Sequence, residues 1–410
     1  MTLETQDTVK ASVLRYNEVA ARKDPAANMG RPYQQCSISV LDTISDPHIT
    51  FDEKGISNYY YEYQEAERKG VVKGSEGIKR LEQLIAAIKE SGRNKRYDCI
   101  AGVSGGVDST YLSYMARQWG LRPLIVHFDN GWNSELAVRN IENIISKLGF
   151  DLYTLVVDWE EFKDLQLAYI KASVVDIEAI TDHAIFATLN RLAVEHDIKY
   201  ILSGSNVVTE ATLPSHWIWS KSDHVNIQDI HKKYGTVPLK TYPFLNKRLK
   251  ETVSWKKIQV VYPLNYIEYN KPAVKKTIQQ ELGWRDYGGK HYESVFTRFY
   301  QGYILPVKFN IDKRKAHLSN LIFSGQISKE AALKELEEPI YPPEVFATDY
   351  EFVLKKFNLT PEEFNEMMKR PRREHTEFAT ERSLFDQYPI LKPLRSVRKV
   401  MKAVIHKLMG

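Results

Sequence analysis

Two cysteines, Cys36 and Cys99, are all that 410 residues contain. That scarcity excludes a disulfide framework and a zinc site built from several thiolates. Long apolar runs are missing as well, and no stretch approaches the roughly 18 uninterrupted apolar residues that read as a membrane-spanning helix. The opening run MTLETQDTVKASVLRYNEVAARKD is polar and mixed in charge, without the apolar segment of a secretion signal. A cytoplasmic location is therefore expected. Internal repeats and low-complexity segments are also absent. What remains, 43% apolar and 27% charged, is the composition of a folded chain with a core of its own.

The net charge of +5 is unevenly placed. Lys392, Arg395, Arg398, Lys399, Lys402 and Lys407 lie in residues 391–410, which hold no Asp or Glu, so the rest of the chain is close to neutral. Leu394, Val397, Met401, Val404 and Leu408 step by three and four, which is one face of a helix. A basic amphipathic tail suits the inner membrane surface or an acidic partner, or packing on its own body. A near-neutral body argues against nucleic acid as the ligand.

Patterning divides the chain into regions 1–90, 91–270, 271–390 and 391–410. One helical stretch is expected within 1–30. Residues 31–70 read as irregular and 75–91 as a helix. Strands are expected at 97–103, 123–129, 152–158 and 199–203, alternating with helices at 108–119, 135–148, 160–172 and 182–195. Such alternation predicts an α/β fold with a doubly wound parallel sheet, its binding residues just past the strand ends. Beyond 270 the pattern turns mostly helical, with helices at 271–282, 328–337 and 360–369. Thr360-Pro361-Glu362-Glu363 is a helix-start signature.

The first strand runs into Ser104-Gly105-Gly106-Val107-Asp108-Ser109-Thr110. Glycines let backbone N–H groups close on an anion, a helix amino terminus adds partial positive charge, and Ser104, Ser109 and Thr110 offer hydroxyls. No lysine sits in the loop, so it is not a Walker loop. Asp129 ends the second strand and is either a nucleotide contact or a turn former. Ser203-Gly204-Ser205-Asn206 ends the fourth, with Glu210 beyond it as a metal ligand or a solvated helix residue. Glu178, Asp182 and His183 could face substrate, although Asp182 reads more simply as a helix cap.

The SGGVDS loop resembles that of the PP-loop ATP pyrophosphatases. The resemblance implies ATP cleaved between its α- and β-phosphates, with Ser104, Gly105, Gly106, Asp108 and Ser109 cradling pyrophosphate. It places Asp129 near adenine and ribose, Gly204 and Asn206 at the α-phosphate loop, and Asp108 with Glu210 on Mg²⁺. Over most of 31–345 the chain further resembles the N-acetyl sugar amidotransferases. The runs that carry this are LDTISDPHITFDEKG (41–55), SGGVDSTYL (104–112), YGGKHYESVFTRFYQGYILPVKFNIDKRKAHLSNLIFSGQI (287–327) and EEPIYPP (337–343). The family's chemistry, in bacterial surface-polysaccharide pathways such as lipopolysaccharide O-antigen synthesis, turns an acetamido group of a nucleotide-linked sugar into an acetamidino group. ATP adenylates the amide oxygen, and ammonia displaces AMP. Within 287–327, Lys290, His291 and Glu293 are candidate catalytic groups, and Arg298, Arg314 and His317 candidate substrate contacts.

Cys99 lies in an apolar strand and the second residue is Thr, so no glutaminase nucleophile is apparent. A separate glutaminase partner, with a cyclase-like adaptor, is expected to supply ammonia. Family members carry two CxxC pairs in a knuckle spanning 31–65. Here those positions are Cys36, Ser39, Ser57 and Tyr60, a set too poor to hold zinc, so no zinc is expected. Two other classes compete: a PP-loop tRNA-modifying enzyme and a non-catalytic scaffold subunit. Thiolating tRNA enzymes need reactive cysteines that are missing here, and a scaffold would have little need of Asp108.

Overall fold

Five short stretches rich in β-branched and apolar residues pair side by side in a computed structural model that describes residues 30–288 and 292–381. The helical stretch expected within 1–30, together with Lys290, His291 and the tail 391–410, lies outside the described residues, apart from Gly30. The strands are β1 (Cys99–Gly102), β2 (Pro123–Asp129), β3 (Asp151–Val156), β4 (Tyr200–Leu202) and β5 (Gln259–Val261). They lie in the order β3-β2-β1-β4-β5, and every pairing is parallel.

Parallel neighbours need crossovers, and helices supply them. Helices α1 (Asn58–Gly70) and α2 (Gly74–Ser91) precede the sheet. Between its strands come α3 (Val107–Gln118), α4 (Glu135–Leu148), α5 (Trp159–Ala172), α6 (Ala179–Glu195), α7 (Val207–Glu210), α8 (His224–Tyr234) and α9 (Lys247–Trp255), and α10 (Lys271–Leu282) follows. The two-residue period of a strand sorts the side chains. Cys99, Ala101 and Ile125 enter one core with Leu112 of α3, Ile141 and Ile144 of α4 and Ile278 of α10. Ile100, Leu124 and Val126 turn the other way, under Leu189, Leu192 and Ala193 of α6. Both faces of the central strands are thus covered, as the doubly wound reading requires. The chain steps outward in opposite directions from β1 and β4, so the loops after these two strands flank the crevice where such sheets bind ligands.

The remaining helices form a second layer beside that crevice: α11 (Val295–Phe299), α12 (Leu305–Phe309), α13 (Lys313–Phe323), α14 (Lys329–Glu337), α15 (Pro343–Phe357) and α16 (Pro361–Lys369). A π-helical turn, Tyr300–Ile304, joins α11 to α12. Their interior is aromatic, with Tyr303 and Phe346 ring centroids 4.8 Å apart and Phe299, Tyr350 and Phe364 around them. Thr360 and Glu363 close a capping box on α16, as their spacing predicts.

Several expectations need correction. Tyr59–Tyr61 do not lie in irregular chain but in α1, where Tyr59 and Tyr63 are buried and Tyr61 faces out to bond Asp52. Strand β5 and helices α8 and α9 escape the apolar count because they are short or polar. Helix α6 begins at Ala179 with Glu178 at its cap position, so Asp182 does not cap it. Its carboxylate instead pairs with Lys221 at 3.1 Å.

The knuckle-like segment folds around Cys36. The Cys36 sulfur accepts the N–H groups of Ser39 and Ser57 at 3.4 and 3.3 Å, and all three residues are buried. Tyr60 packs edge-on against Phe323 of α13. No group of three or more His, Cys, Asp or Glu that could hold a metal occurs among the described residues. The segment is fastened to the helical layer: the Lys329 ammonium donates to the Cys36 carbonyl at 2.6 Å, and Lys315 pairs with Asp42 at 2.5 Å. No helix among the described residues is long and apolar enough to cross a membrane.

Candidate active site

The turn after β1 owes its shape to glycine. Gly105 has φ +80°, a left-handed backbone that other residues adopt at a cost. A Cβ placed on it would stand 2.8 Å from the Tyr287 hydroxyl. Two aromatic donors fix its carbonyl: Trp284 Nε1 at 2.7 Å and the Tyr287 hydroxyl at 2.9 Å. With that carbonyl turned outward, the Ser104 hydroxyl accepts the Gly106 N–H at 3.2 Å, and the Ser104 and Ser109 hydroxyls meet at 3.3 Å. The α3 amino terminus begins there, with Gly106 at its cap position. The loop therefore gathers N–H groups, two hydroxyls and a positive helix end, which is what an anion needs.

The β4 loop closes on it. A Cβ on Gly204 would lie 3.1 Å from the Asp108 carbonyl and the Ser109 nitrogen, so only glycine lets the two loops approach this closely. Asn206 caps α7 and reaches Asp108 Oδ1 with its amide at 3.4 Å. The Tyr269 hydroxyl donates to the same carboxylate oxygen. Burial, then the Asp108 carboxylate beside it, pushes the Tyr269 phenol well above its ordinary range.

One cleft of about 890 Å³ runs from these loops into the helical layer. Ser104, Gly106, Asp108, Ser109, Gly204 and Glu210 line its sheet side. Glu293, Arg298, Arg314 and His317 line its helical side, together with Gln301 and Gly302 of the π-helical turn. The two sides touch, since a Cβ on Gly106 would come within 3.4 Å of Glu293 Oε1. The Arg298 guanidinium forks onto Asp349 at 2.6 and 2.9 Å beneath the Tyr292 ring, and Asp349 also accepts the Tyr341 hydroxyl. Arg314 donates to Asp312 and to the Glu338 carbonyl at 2.8 Å each.

Two expected contacts are elsewhere. Thr110 is fully buried within α3 and does not reach the cleft, because the position two residues into a helix behind Asp108 points to the core. Asp129 does not line the cleft either. Its carboxylate accepts the Gly131 N–H at 2.9 Å and the Asn133 amide at 3.1 Å. Asn133 also donates to His127 Nε2, and His127 Nδ1 donates to the Val103 carbonyl, so this network braces the base of the loop. His183 is likewise structural, donating to the Lys221 carbonyl and accepting the Leu245 N–H. Trp284, Tyr287 and Tyr269 had no local signal in the sequence. They sit far from the loop along the chain and act through single hydroxyl or indole bonds.

The carboxylates of Asp108 and Glu210 face the same cleft, without a third acidic or imidazole group close enough to complete a cage among the described residues. That fits Mg²⁺, which is commonly held by one or two carboxylates plus substrate phosphates and water.

A Ser-Gly-Gly-Val-Asp-Ser turn between β1 and a helix, met by a second Gly loop on a parallel sheet, makes an α/β anion-binding arrangement that resembles the PP-loop type. Residues 293–393 match the family described as LPS biosynthesis protein WbpG-like, C-terminal domain. That match covers the helical layer beside the cleft and does not reach the sheet. It is 25% identical over 278 residues to an uncharacterized protein of Methanocaldococcus jannaschii, covering 65% of this chain and 82% of that one. A stretch of 76 residues is 37% identical to the tRNA(Ile)-lysidine synthase of Chlamydia pneumoniae, covering 18% of this chain and 23% of that protein. Among solved structures, an NMN synthetase from Francisella tularensis aligns at TM-score 0.35 and 13% identity, covering 69% of this chain and 96% of its own. An NH3-dependent NAD synthetase from Campylobacter jejuni aligns at TM-score 0.30 and 13% identity, covering 72% and 98%.

Proposed function

We propose that this chain is an ATP-dependent amidotransferase that converts an acetamido group of an N-acetylated, nucleotide-linked sugar into an acetamidino group, in bacterial surface-polysaccharide synthesis. The observation that carries the reading is the shared cleft: the phosphate-type loop forms one side, and the WbpG-like segment supplies Glu293, Arg298, Arg314 and His317 to the other. ATP held on the loop and an acceptor held against the helical layer would meet there.

An amide carbon is a weak electrophile and its oxygen a poor leaving group, and adenylation corrects both faults. The amide oxygen bonds to the α-phosphorus of ATP, and pyrophosphate departs. Ammonia then bonds to the imidate carbon and AMP leaves. No protein nucleophile is required, so positioning and charge stabilisation carry the catalysis. The Gly106 N–H, the Ser104 and Ser109 hydroxyls and the α3 amino terminus hold the departing pyrophosphate. Asp108, oriented by Tyr269 and Asn206, and Glu210 are the groups that would hold Mg²⁺, which when bound neutralises phosphate charge. Glu293, beside Gly106, is placed to take the proton that the attacking nitrogen sheds.

The ammonia would come from a separate glutaminase, with a cyclase-like adaptor at the interface. The test is pyrophosphate release with an acetamido sugar nucleotide and ammonium, and mass spectrometry showing the acceptor's amide oxygen replaced by NH. Asp108→Ala should abolish both. Release that instead requires bulk tRNA, or full activity in Asp108→Ala, overturns the reading.

A further inference from the structure

Helix α13 presents a cleft-facing stripe of Lys313, Arg314, His317, Leu318 and Leu321. Steps of one, three, one and three residues make this one helical face. Three of the basic side chains in the helical layer already have anionic or carbonyl partners. Asp349 holds Arg298, Asp312 and the Glu338 carbonyl hold Arg314, and Lys315 turns away to Asp42.

Lys313 differs. Its ammonium forms no ion pair among the described residues, although it is half-buried in the wall of the cleft. Three carboxyl groups lie near it, and each is otherwise engaged. Lys221 binds Asp176 at 2.7 Å and Asp182 at 3.1 Å, while Glu178 accepts the Thr297 hydroxyl at 2.8 Å. Burial is the main cause that lowers the Lys313 ammonium from its ordinary range, and the charge of Lys221 adds to it, against the pull of Asp176, Glu178 and Asp182. A partly desolvated ammonium without a close counter-ion is costly, and an anion arriving from the cleft would relieve that cost.

We infer that Lys313 is the acceptor-recognition residue of this cleft, its ammonium meeting a phosphate oxygen of the activated sugar while the β1 loop holds ATP. The inference rests on the ATP-plus-acceptor reading above. In it, Lys313 supplies the charge contact, and the salt-bridged Arg298 and Arg314 shape the site around it. The Asp176–Lys221–Asp182 group lies near enough to act on its charge. A neutral sugar would leave the ammonium unpaired, so the acceptor must carry its phosphate when it binds.

The test is calorimetry on the full chain saturated with Mg²⁺ and the non-hydrolysable analogue α,β-methylene ATP. The titrants are UDP-N-acetylglucosamine, UDP, N-acetylglucosamine 1-phosphate and N-acetylglucosamine. The phosphate-bearing titrants should bind, and the neutral sugar at least tenfold more weakly. Comparing UDP with the sugar 1-phosphate tells whether a nucleoside diphosphate or a sugar phosphate is the better handle. Lys313→Met should weaken the phosphate-bearing titrants at least tenfold, leave the ATP analogue within about threefold, and hold or raise the Tm. Lys313→Arg should restore most of the binding. Equal binding by Lys313→Met and the unmodified chain, a loss confined to the ATP analogue, or no binding of any phosphate-bearing titrant overturns the inference. Failure of the unmodified chain to bind the ATP analogue itself would instead overturn the assignment of the loop.

Discussion

If the Gly105 backbone is a ligand-binding device, replacing it should cost affinity more than stability. Gly105 and Gly149 both sit in left-handed backbone, with φ +80° and +64°. Gly149 closes α4 with its N–H on the Ile145 carbonyl, and a Cβ there would meet nothing within 4 Å. Gly149→Ala should therefore carry the backbone cost alone, about 1–2 kcal/mol, visible as a lower Tm. Gly105→Ala carries the same cost, and its Cβ would also lie 2.8 Å from the Tyr287 hydroxyl and 3.2 Å from the Ala137 carbonyl. The loop can escape by rotating its peptide, which surrenders the Trp284 or Tyr287 bond to the Gly105 carbonyl, worth about 1 kcal/mol. Binding requires the original backbone to be restored. The sum, about 2–3 kcal/mol, corresponds to roughly 30- to 150-fold weaker binding of Mg²⁺ and an ATP analogue. Titration calorimetry reads the affinity and scanning calorimetry the Tm for both variants. Matching Tm losses with unchanged affinity in Gly105→Ala would refute the reasoning, because the backbone at 105 would then serve the fold and not the ligand.

Two further outcomes follow from single bonds. Tyr269→Phe keeps a buried ring, edge-on to Tyr111, but removes the hydroxyl that holds Asp108. A hydrogen bond to a charged group is worth about 1.5–3 kcal/mol, so turnover in the pyrophosphate assay should fall roughly 10- to 150-fold with little change in Tm; unchanged turnover would show that Asp108 needs no such orientation. Glu178 is pushed up from 4.5 to about 7, chiefly by burial, despite its bond from Thr297. The native state keeps this proton where the unfolded chain has lost it, so the contribution is whole below pH 4.5 and drains away as pH rises to 7. At about 1.4 kcal/mol per unit the swing is at most about 3.5 kcal/mol, less because the carboxyl keeps some solvent contact. Glu178→Gln should gain Tm relative to the parent between pH 5 and 8, and a constant difference would refute the assignment.

The division between what sequence pattern discloses and what it hides follows the range of the interactions. Helix α4 matches its expected bounds, 135–148, because Ile141, Ile144 and Leu148 share one stripe, Ser134 caps one end and Gly149 the other. These are contacts within a few residues, and pattern reading is built on them. The phosphate-type loop is legible for the same reason: glycine, hydroxyl and helix start are consecutive. Asp129 is open to two readings because one residue type serves two purposes, and an Asp at a strand end bonds a turn N–H two residues on as readily as it meets a ribose. Thr110 misleads because a hydroxyl next to a loop need not face it. The rest of the site depends on separations no local pattern records: Trp284 and Tyr287 reach back to Gly105, Tyr269 reaches Asp108, and the π-helical turn carries Gln301 and Gly302 to the cleft. Trp284, Tyr287 and Tyr269 each supply one bond from far along the chain. Their common effect is to hold two loops and a helical layer against one cavity. A loop motif by itself marks an anion site, and the acceptor proposed above rests on the WbpG-like layer across the cleft.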